Sequence, residues 1–185
     1  RDVAFAYANE VARACDVVGV SAAEVIQAGK LGYPRTNLPM PGLVGGPCLE
    51  KDPYIFAEGL KEFGIEPEIT MSARKINERQ PEEIVAYLKS VTETFRSFPD
   101  KPVISLLGIA FKGQPPTDDL RGTMAIPIFD ALKRHFPQAI FRGFDAVVSK
   151  EQIKSLGLDV CNSLKEAMSG ANLALILNNH PIFLN

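Results

Sequence analysis

The sequence predicts an α/β protein in two parts, a helical region over residues 1–98 and a parallel α/β domain over residues 99–185. Three observations carry this. Up to Phe98 the apolar residues recur at spacings of three and four. Beyond Pro99 short β-branched runs alternate with amphipathic ones, and a proline- and glycine-rich loop, "YPRTNLPMPGLVGGP", interrupts the helical part.

In the first part, "RDVAFAYANEVARACDVVGV" puts Val3, Tyr7, Val11, Ala14 and Val18 on one stripe of a helix. "SAAEVIQAGKLG" reads as a second helix, with Ser21 as its cap, Glu24 completing a capping-box pattern and Gly32 able to stop it. After the loop, "CLEKDPYIFAEGLKEFG" resumes helical spacing through Tyr54, Ala57, Leu60 and Phe63. "ITMSARKINERQPEEIVAYLKSVTETF" forms one or two long helices striped by Ile84, Leu88, Val91 and Phe95, with Pro81 marking a kink or a new first turn.

In the second part, "VISLLGIAF" is a short apolar run of the buried-strand type. A helix "AIPIFDALKRHF", a strand "AIFRGFDA", a helix "SKEQIKSLG", a short strand "LDVCN", a helix "SLKEAMSGA" and a strand "NLALILNN" follow. Such alternation implies a parallel, Rossmann-like sheet covered on both faces. Open sheets of this kind bind ligands at the carboxyl ends of their strands, so "FKGQPPTDDLRG" and "FDAVVS" are the loops to watch.

Composition removes several function classes. With 46% hydrophobic and 23% charged residues, the 185-residue chain suits a soluble globular protein with a proper core. A net charge of −2 gives no basic footprint for nucleic acid. No apolar run approaches the length of a membrane span, about 18 residues. Cys15, Cys48 and Cys161 are too few and scattered for a disulfide framework or a zinc site and suit a reducing cytoplasm. His135 and His180 lie far apart, so no metal is expected. The chain opens without methionine, already inside a helical pattern, as an excised piece of a longer protein would.

Cys48 stands out. In "PGLVGGPCLEKDP" it sits at the start of a helix, where the positive end of the macrodipole and unpaired backbone amides favour a thiolate, and Lys51 adds positive charge. Three glycines allow close approach of a bulky ligand. On residues alone, a corner-turning loop with Cys48 as filler is as good an explanation. Gly42, Gly45 and Gly46 do not make a phosphate loop, because the spacing is not G-x-G-x-x-G and no strand precedes them. Cys15 and Cys161 read as packed thiols.

The same stretch resembles the G-x-G-G-x-C-x-x-K-D signature of the UDP-glucose/GDP-mannose dehydrogenase family, with Leu43 where the family has its first glycine. "LGIAFKGQPPTDDLRGT" resembles the family's carboxyl-terminal signature, a strand ending in Phe-Lys followed by Thr-Asp-Asp and Arg, although "GQPP" lengthens it here. "YANEVARACD", "KINERQP" and "GFDAVVS" resemble further family segments in the same order. "YPRTNLPMPG" is closer in look to the branch acting on UDP-N-acetylhexosamines.

The resemblance implies an enzyme that oxidises a sugar C6 alcohol to a carboxylate with two NAD in turn. Its helical region would form a homodimer and its α/β domain would bind the UDP-sugar. Cys48 would be the nucleophile and Asp52, in the same first turn, would position or activate the hydrolytic water. The loop Pro39, Met40, Pro41, Gly42, Leu43, Val44 and Gly45 would wrap the sugar, with Phe111 and Lys112 on the sugar nucleotide. Arg35 would reach the substrate of the neighbouring subunit. Cys48, Leu49, Glu50, Lys51 and Arg121 would line the cofactor, Arg121 at its diphosphate; without the resemblance, Arg121 is a surface ion pair to Asp118 or Asp119. A catalytic Lys and Asn and the NAD-binding Rossmann domain would precede this chain, which alone would not turn over. A UDP-glucose or GDP-mannose dehydrogenase, or a non-catalytic UDP-binding and dimerisation module, remain the alternatives.

Overall fold

The computed structural model describes residues 1–184. Contacts divide the chain between Gln80 and Pro81 into a helical unit and an α/β unit.

The helical unit holds α1 (Asp2–Val18), α2 (Ala22–Lys30), α3 (Pro47–Leu60) and the first part of α4 (Glu68–Glu93). α1 stops at Gly19, whose left-handed φ of 73° lets its own amide and that of Val20 turn back to the carbonyls of Asp16 and Cys15. Ser21 caps α2 by accepting from the Glu24 amide at 3.3 Å. The two-way capping box lies instead at Ser149 and Gln152.

The apolar stripe of α1 is not its packing face. Val3, Tyr7 and Val18 are exposed, and the helix buries Ala6, Ala8, Asn9 and Cys15 together with Asp2. Small side chains let the backbone come close to its neighbours, which is how polar groups from three helices reach one another below. Cys15 is packed, as expected.

α4 runs unbroken through Pro81, so "ITMSARKINERQPEEIVAYLKSVTETF" is one long helix rather than two. Its buried positions past the proline are Val85 and Thr92, each one place beyond the expected Ile84 and Val91, while Phe95 is exposed. In the same stretch Glu82 accepts from Arg134 at 2.6 Å and lies 2.6 Å from His135 Nε2. These partners, Arg134 foremost, hold the Glu82 carboxyl below the usual carboxylate range.

The α/β unit runs β1 (Val103–Leu107), α5 (Ala125–His135), β2 (Ile140–Phe144), α6 (Lys150–Ser155), β3 (Asp159–Val160), α7 (Leu164–Met168) and β4 (Leu173–Ile176). The sheet order is β3-β2-β1-β4 and every pairing is parallel, with Val103 opposite Ile140, Ile104 opposite Leu173 and Arg142 opposite Asp159. The central strand β1 is apolar except for Ser105, whose buried hydroxyl donates to the Ala167 carbonyl at 2.6 Å, because it is covered on both faces, and Ile104, Leu106, Ile128, Leu132 and Ile153 form the core. Cys161 is packed with Leu107, Phe144 and Ala167, and burial pushes its thiol up. Among the described residues no helix is long and apolar enough to cross a membrane.

Candidate functional site

Cys48 is exposed and occupies the second position of α3. Gly46 is the N-cap, with a φ of 102° that other residues rarely adopt and no side chain to accept from the first-turn amides. Those amides and the helix dipole therefore favour a negative group beside the thiol. Asp52 belongs to the second turn, not the first: it lies four residues past Cys48, a spacing that puts both on one face of α3. Lys51 donates to Asp52 Oδ1 at 2.6 Å, and that contact raises the Lys51 ammonium.

The preceding loop lies partly buried from Pro39 onward, with Met40 exposed and Val44 buried. Arg35 is exposed, its guanidinium 5.4 Å from the Tyr33 ring centroid. Leu49 is half-buried, whereas Glu50 and Lys51 are exposed.

Sequence reasoning missed the residues that hold this loop. Asn9 Nδ2 donates to the Gly42 carbonyl at 3.0 Å, and the Gly42 amide donates back to Asn9 Oδ1 at 2.7 Å. Asn9 also donates to Asn77 Oδ1 at 3.1 Å, and Asn77 donates to the Asp2 carbonyl (3.0 Å) and carboxylate (2.7 Å). Arg74 lies 3.1 Å from the same carboxylate and donates to the Leu49 carbonyl at 2.6 Å. Asp2, Asn9, Arg74 and Asn77 are all buried. These mutual bonds are what let a carboxylate, a guanidinium and two amides stay buried, although Asp2 Oδ2 makes no hydrogen bond and Arg74 Nε has only its ion pair to Glu78 at 3.3 Å. The available signal was polar residues interrupting the helical patterns of "RDVAFAYANEVARACDVVGV" and "ITMSARKINERQPEEIVAYLKSVTETF".

In the α/β unit, Gly108 turns the chain out of β1 at a φ of 83°, so Phe111 and Lys112 stand in a loop beyond the strand rather than at its end. Asp145, just past β2, holds that loop. Its Oδ2 accepts from the Ile109 and Ala110 amides at 2.6 and 3.1 Å, and its Oδ1 from Val147 and Val148 at 2.8 and 3.0 Å. Asn178 donates to the Ala110 carbonyl at 3.2 Å, and Asn179 accepts from the Gly113 amide at 3.1 Å. A Cβ on Gly113 would run into the backbone of Asn179 and His180. Lys112 Nζ sits 5.2 Å from the Phe111 ring centroid. Arg121 is exposed and makes the ion pair to Asp119, at 2.8 Å; this hydrogen bonding holds the Asp119 carboxyl down at about 2.

The chain matches two family models, the "UDP-glucose/GDP-mannose dehydrogenase family, central domain" over residues 1–79 and the "UDP-glucose/GDP-mannose dehydrogenase family, UDP binding domain" over residues 105–185. It belongs to the UDP-glucose/GDP-mannose dehydrogenase family. It is 33% identical to a UDP-N-acetyl-D-mannosamine dehydrogenase of Pyrococcus horikoshii, over 99% of this chain and 40% of the relative. It is 30% identical to an NDP-N-acetyl-D-galactosaminuronic acid dehydrogenase of Ralstonia nicotianae, over 99% of this chain and 41% of the relative. A solved NDP-N-acetyl-D-galactosaminuronic acid dehydrogenase of Methanosarcina mazei superposes with a TM-score of 0.82 at 27% identity, covering 99% of this chain and 39% of that one. The chain thus spans about two fifths of the length of these relatives.

Proposed function

We propose that this chain is the central and UDP-binding portion of an NAD-dependent nucleotide-sugar 6-dehydrogenase, which oxidises the C6 alcohol of a UDP-N-acetylhexosamine to the carboxylate. The observation that carries this is an exposed Cys48 on the uncapped first turn of α3, with Asp52 on the same helix face one turn on. Relatives named for N-acetylated sugars support the substrate class.

Cys48 as thiolate adds to the C6 carbonyl carbon of the aldehyde, forming a C–S bond while the oxygen takes up a proton. Bound NAD supplies the hydride acceptor for both oxidation stages. Loss of the C6 hydride from the thiohemiacetal, with its hydroxyl proton, leaves a thioester on Cys48. Water then adds to the thioester carbon, Asp52 taking its proton, and the C–S bond breaks with the electron pair returning to sulfur. Sulfur serves both stages, being nucleophilic at neutral pH and a good leaving group.

Each unit by itself offers groups that suit such a cofactor. In the helical unit, Gly46 has no side chain to accept from the first-turn amides of α3, so the turn of Cys48, Leu49, Glu50 and Lys51 would take a negative group; in the α/β unit, exposed Arg121 would take a phosphate oxygen. Lys112 would hold the diphosphate of the sugar nucleotide beside Phe111, and the loop from Pro39 to Gly45 would enclose the sugar. The exposed Val3, Tyr7 and Val18 on α1 favour a homodimer through the helical unit, with Arg35 of the partner subunit completing each sugar site.

In the full-length protein, Cys48→Ser should abolish overall oxidation and keep UDP-sugar binding by calorimetry; near-normal turnover would overturn the proposal. A panel of UDP-N-acetylmannosamine, UDP-N-acetylglucosamine, UDP-glucose and GDP-mannose separates the branches by kcat/KM. Mixing Arg35→Ala with Cys48→Ser subunits should restore part of the activity, because one site in each mixed dimer then carries neither defect.

A further inference from the structure

Proline inside a helix leaves an acceptor stranded. Pro53 lies within α3, and its missing N–H is the one that would have bonded the carbonyl four residues earlier, that of Leu49. In this protein Arg74 takes the place of that donor, bonding the Leu49 carbonyl at 2.6 Å from α4. Leu49 follows Cys48 directly. On the other side of the thiol, Asn9 grips Gly42 through both its amide and its carbonyl, as a neighbouring strand would. The two grips share one buried scaffold, since Asn9 and Arg74 are joined through Asn77 and the Asp2 carboxylate.

We propose that Asn9 and Arg74 are positioning residues for the nucleophile: Asn9 sets the sugar loop through Gly42, and Arg74 sets the Cys48 turn through the Leu49 carbonyl that Pro53 leaves open. The catalytic consequence rests on the function proposed above. The clamp itself does not, because it concerns how firmly two backbone segments are held. A proline interior to a helix ordinarily weakens it. Here it frees a carbonyl for a side chain from another helix and so ties the thiol's turn to the centre of the unit.

The two residues act on different steps. Asn9→Asp keeps an acceptor for the Gly42 amide but cannot donate to the Gly42 carbonyl, so the sugar loop loosens. KM for the UDP-sugar should then rise on the order of tenfold while kcat changes less. Arg74→Lys keeps a positive charge beside Asp2, but its ammonium sits on a shorter stem than the guanidinium Nη1 that reaches both Asp2 and the Leu49 carbonyl, and it has no second nitrogen for Glu78. Its kcat should fall on the order of 100-fold, the effect of displacing a reacting group by about 1 Å.

The test uses the full-length protein and three readouts. The first is the kcat and KM of Asn9→Asp and Arg74→Lys. The second is hydrogen exchange at Gly42 and in the first turn of α3. The third is the rate of Cys48 alkylation by iodoacetamide against pH, in a background with Cys15 and Cys161 replaced by alanine. The decisive variant is the double Arg74→Lys, Pro53→Ala, which returns a backbone N–H to the Leu49 carbonyl. Recovery of α3 protection, and of an alkylation profile close to that of the parent, is expected. Failure of Pro53→Ala to restore either, or Arg74→Lys and Asn9→Asp variants that lose only melting temperature while exchange and alkylation stay parental, would overturn the clamp. If the parent protein oxidises none of the sugar nucleotides, the functional reading fails by itself, and exchange and alkylation still decide the clamp.

Discussion

The loop before Cys48 and the loop carrying Phe111 and Lys112 are both fixed by side chains far away in sequence, in different ways. Gly42 is held by Asn9, 33 positions earlier, and Leu49 by Arg74, 25 positions later, both from inside helices. Ile109 and Ala110 are held by Asp145, also 36 and 35 positions away, but Asp145 stands just past the end of the neighbouring strand β2. In a parallel sheet the carboxyl ends of adjacent strands converge, so topology already brings Asp145, Asn178 and Asn179 to the loop after β1. Helices carry no such rule. Which residues of α1, α3 and α4 meet depends on how each is rotated, and a buried polar network selects that rotation through the partners it must satisfy.

Four substitutions probe this contrast, strongest first. Asn77→Leu should be the most damaging, at about 4 kcal/mol, because it strips Asn9 and the Asp2 carboxylate of partners in a site without solvent. Urea denaturation would measure it, with exchange protection lost first at Gly42. An effect under about 1 kcal/mol would show that the helical unit does not depend on the network.

Gly113→Ala places a methyl against the backbone of Asn179 and His180 and should cost about 3 kcal/mol, confined to the α/β unit. Calorimetric scanning should show that unit's transition alone moving down. A shift in the helical transition would break the comparison.

Asp145→Ala orphans four amides in a partly open position and should cost about 2 kcal/mol. Exchange should rise at Ile109, Ala110, Val147 and Val148 while Gly42 stays protected. Asp145→Asn, retaining one carbonyl oxygen, should do less harm.

Arg121→Gln has the smallest expected effect, seen only in acid. The folded Asp119 carboxyl titrates at about 2, below its ordinary 3.8, so the pairing contributes stability above the ordinary value that is lost as the pH falls through the folded one. Removing the guanidinium should bring the Asp119 titration, followed by carboxyl-carbon NMR, back toward 3.8, with stability at neutral pH nearly unchanged because the pair is exposed. An Asp119 that still titrates near 2 would place the cause elsewhere.

Read residue by residue, the sequence carried more of the α/β unit than of the helical one. The alternation from "VISLLGIAF" to "NLALILNN" is enough for a parallel sheet, because strands buried on both faces have to be continuous in apolar residues. "PGLVGGPCLEKDP" exposed the thiol at a helix start because its glycine and proline requirements are local. Helix phase was not legible. The periodic stripe of α1 marked Val3, Tyr7 and Val18, yet the chain buries Ala6, Ala8 and Asn9, since a stripe shows that a face is apolar without saying what covers it. Nor could spacing reveal that the acceptor freed by Pro53 in α3 would be met by Arg74 in α4. Local chemistry in the sequence determined the elements, the sheet and the place of Cys48. Tertiary structure alone decided which buried polar groups satisfy one another, because that pairing depends on distances no single segment contains.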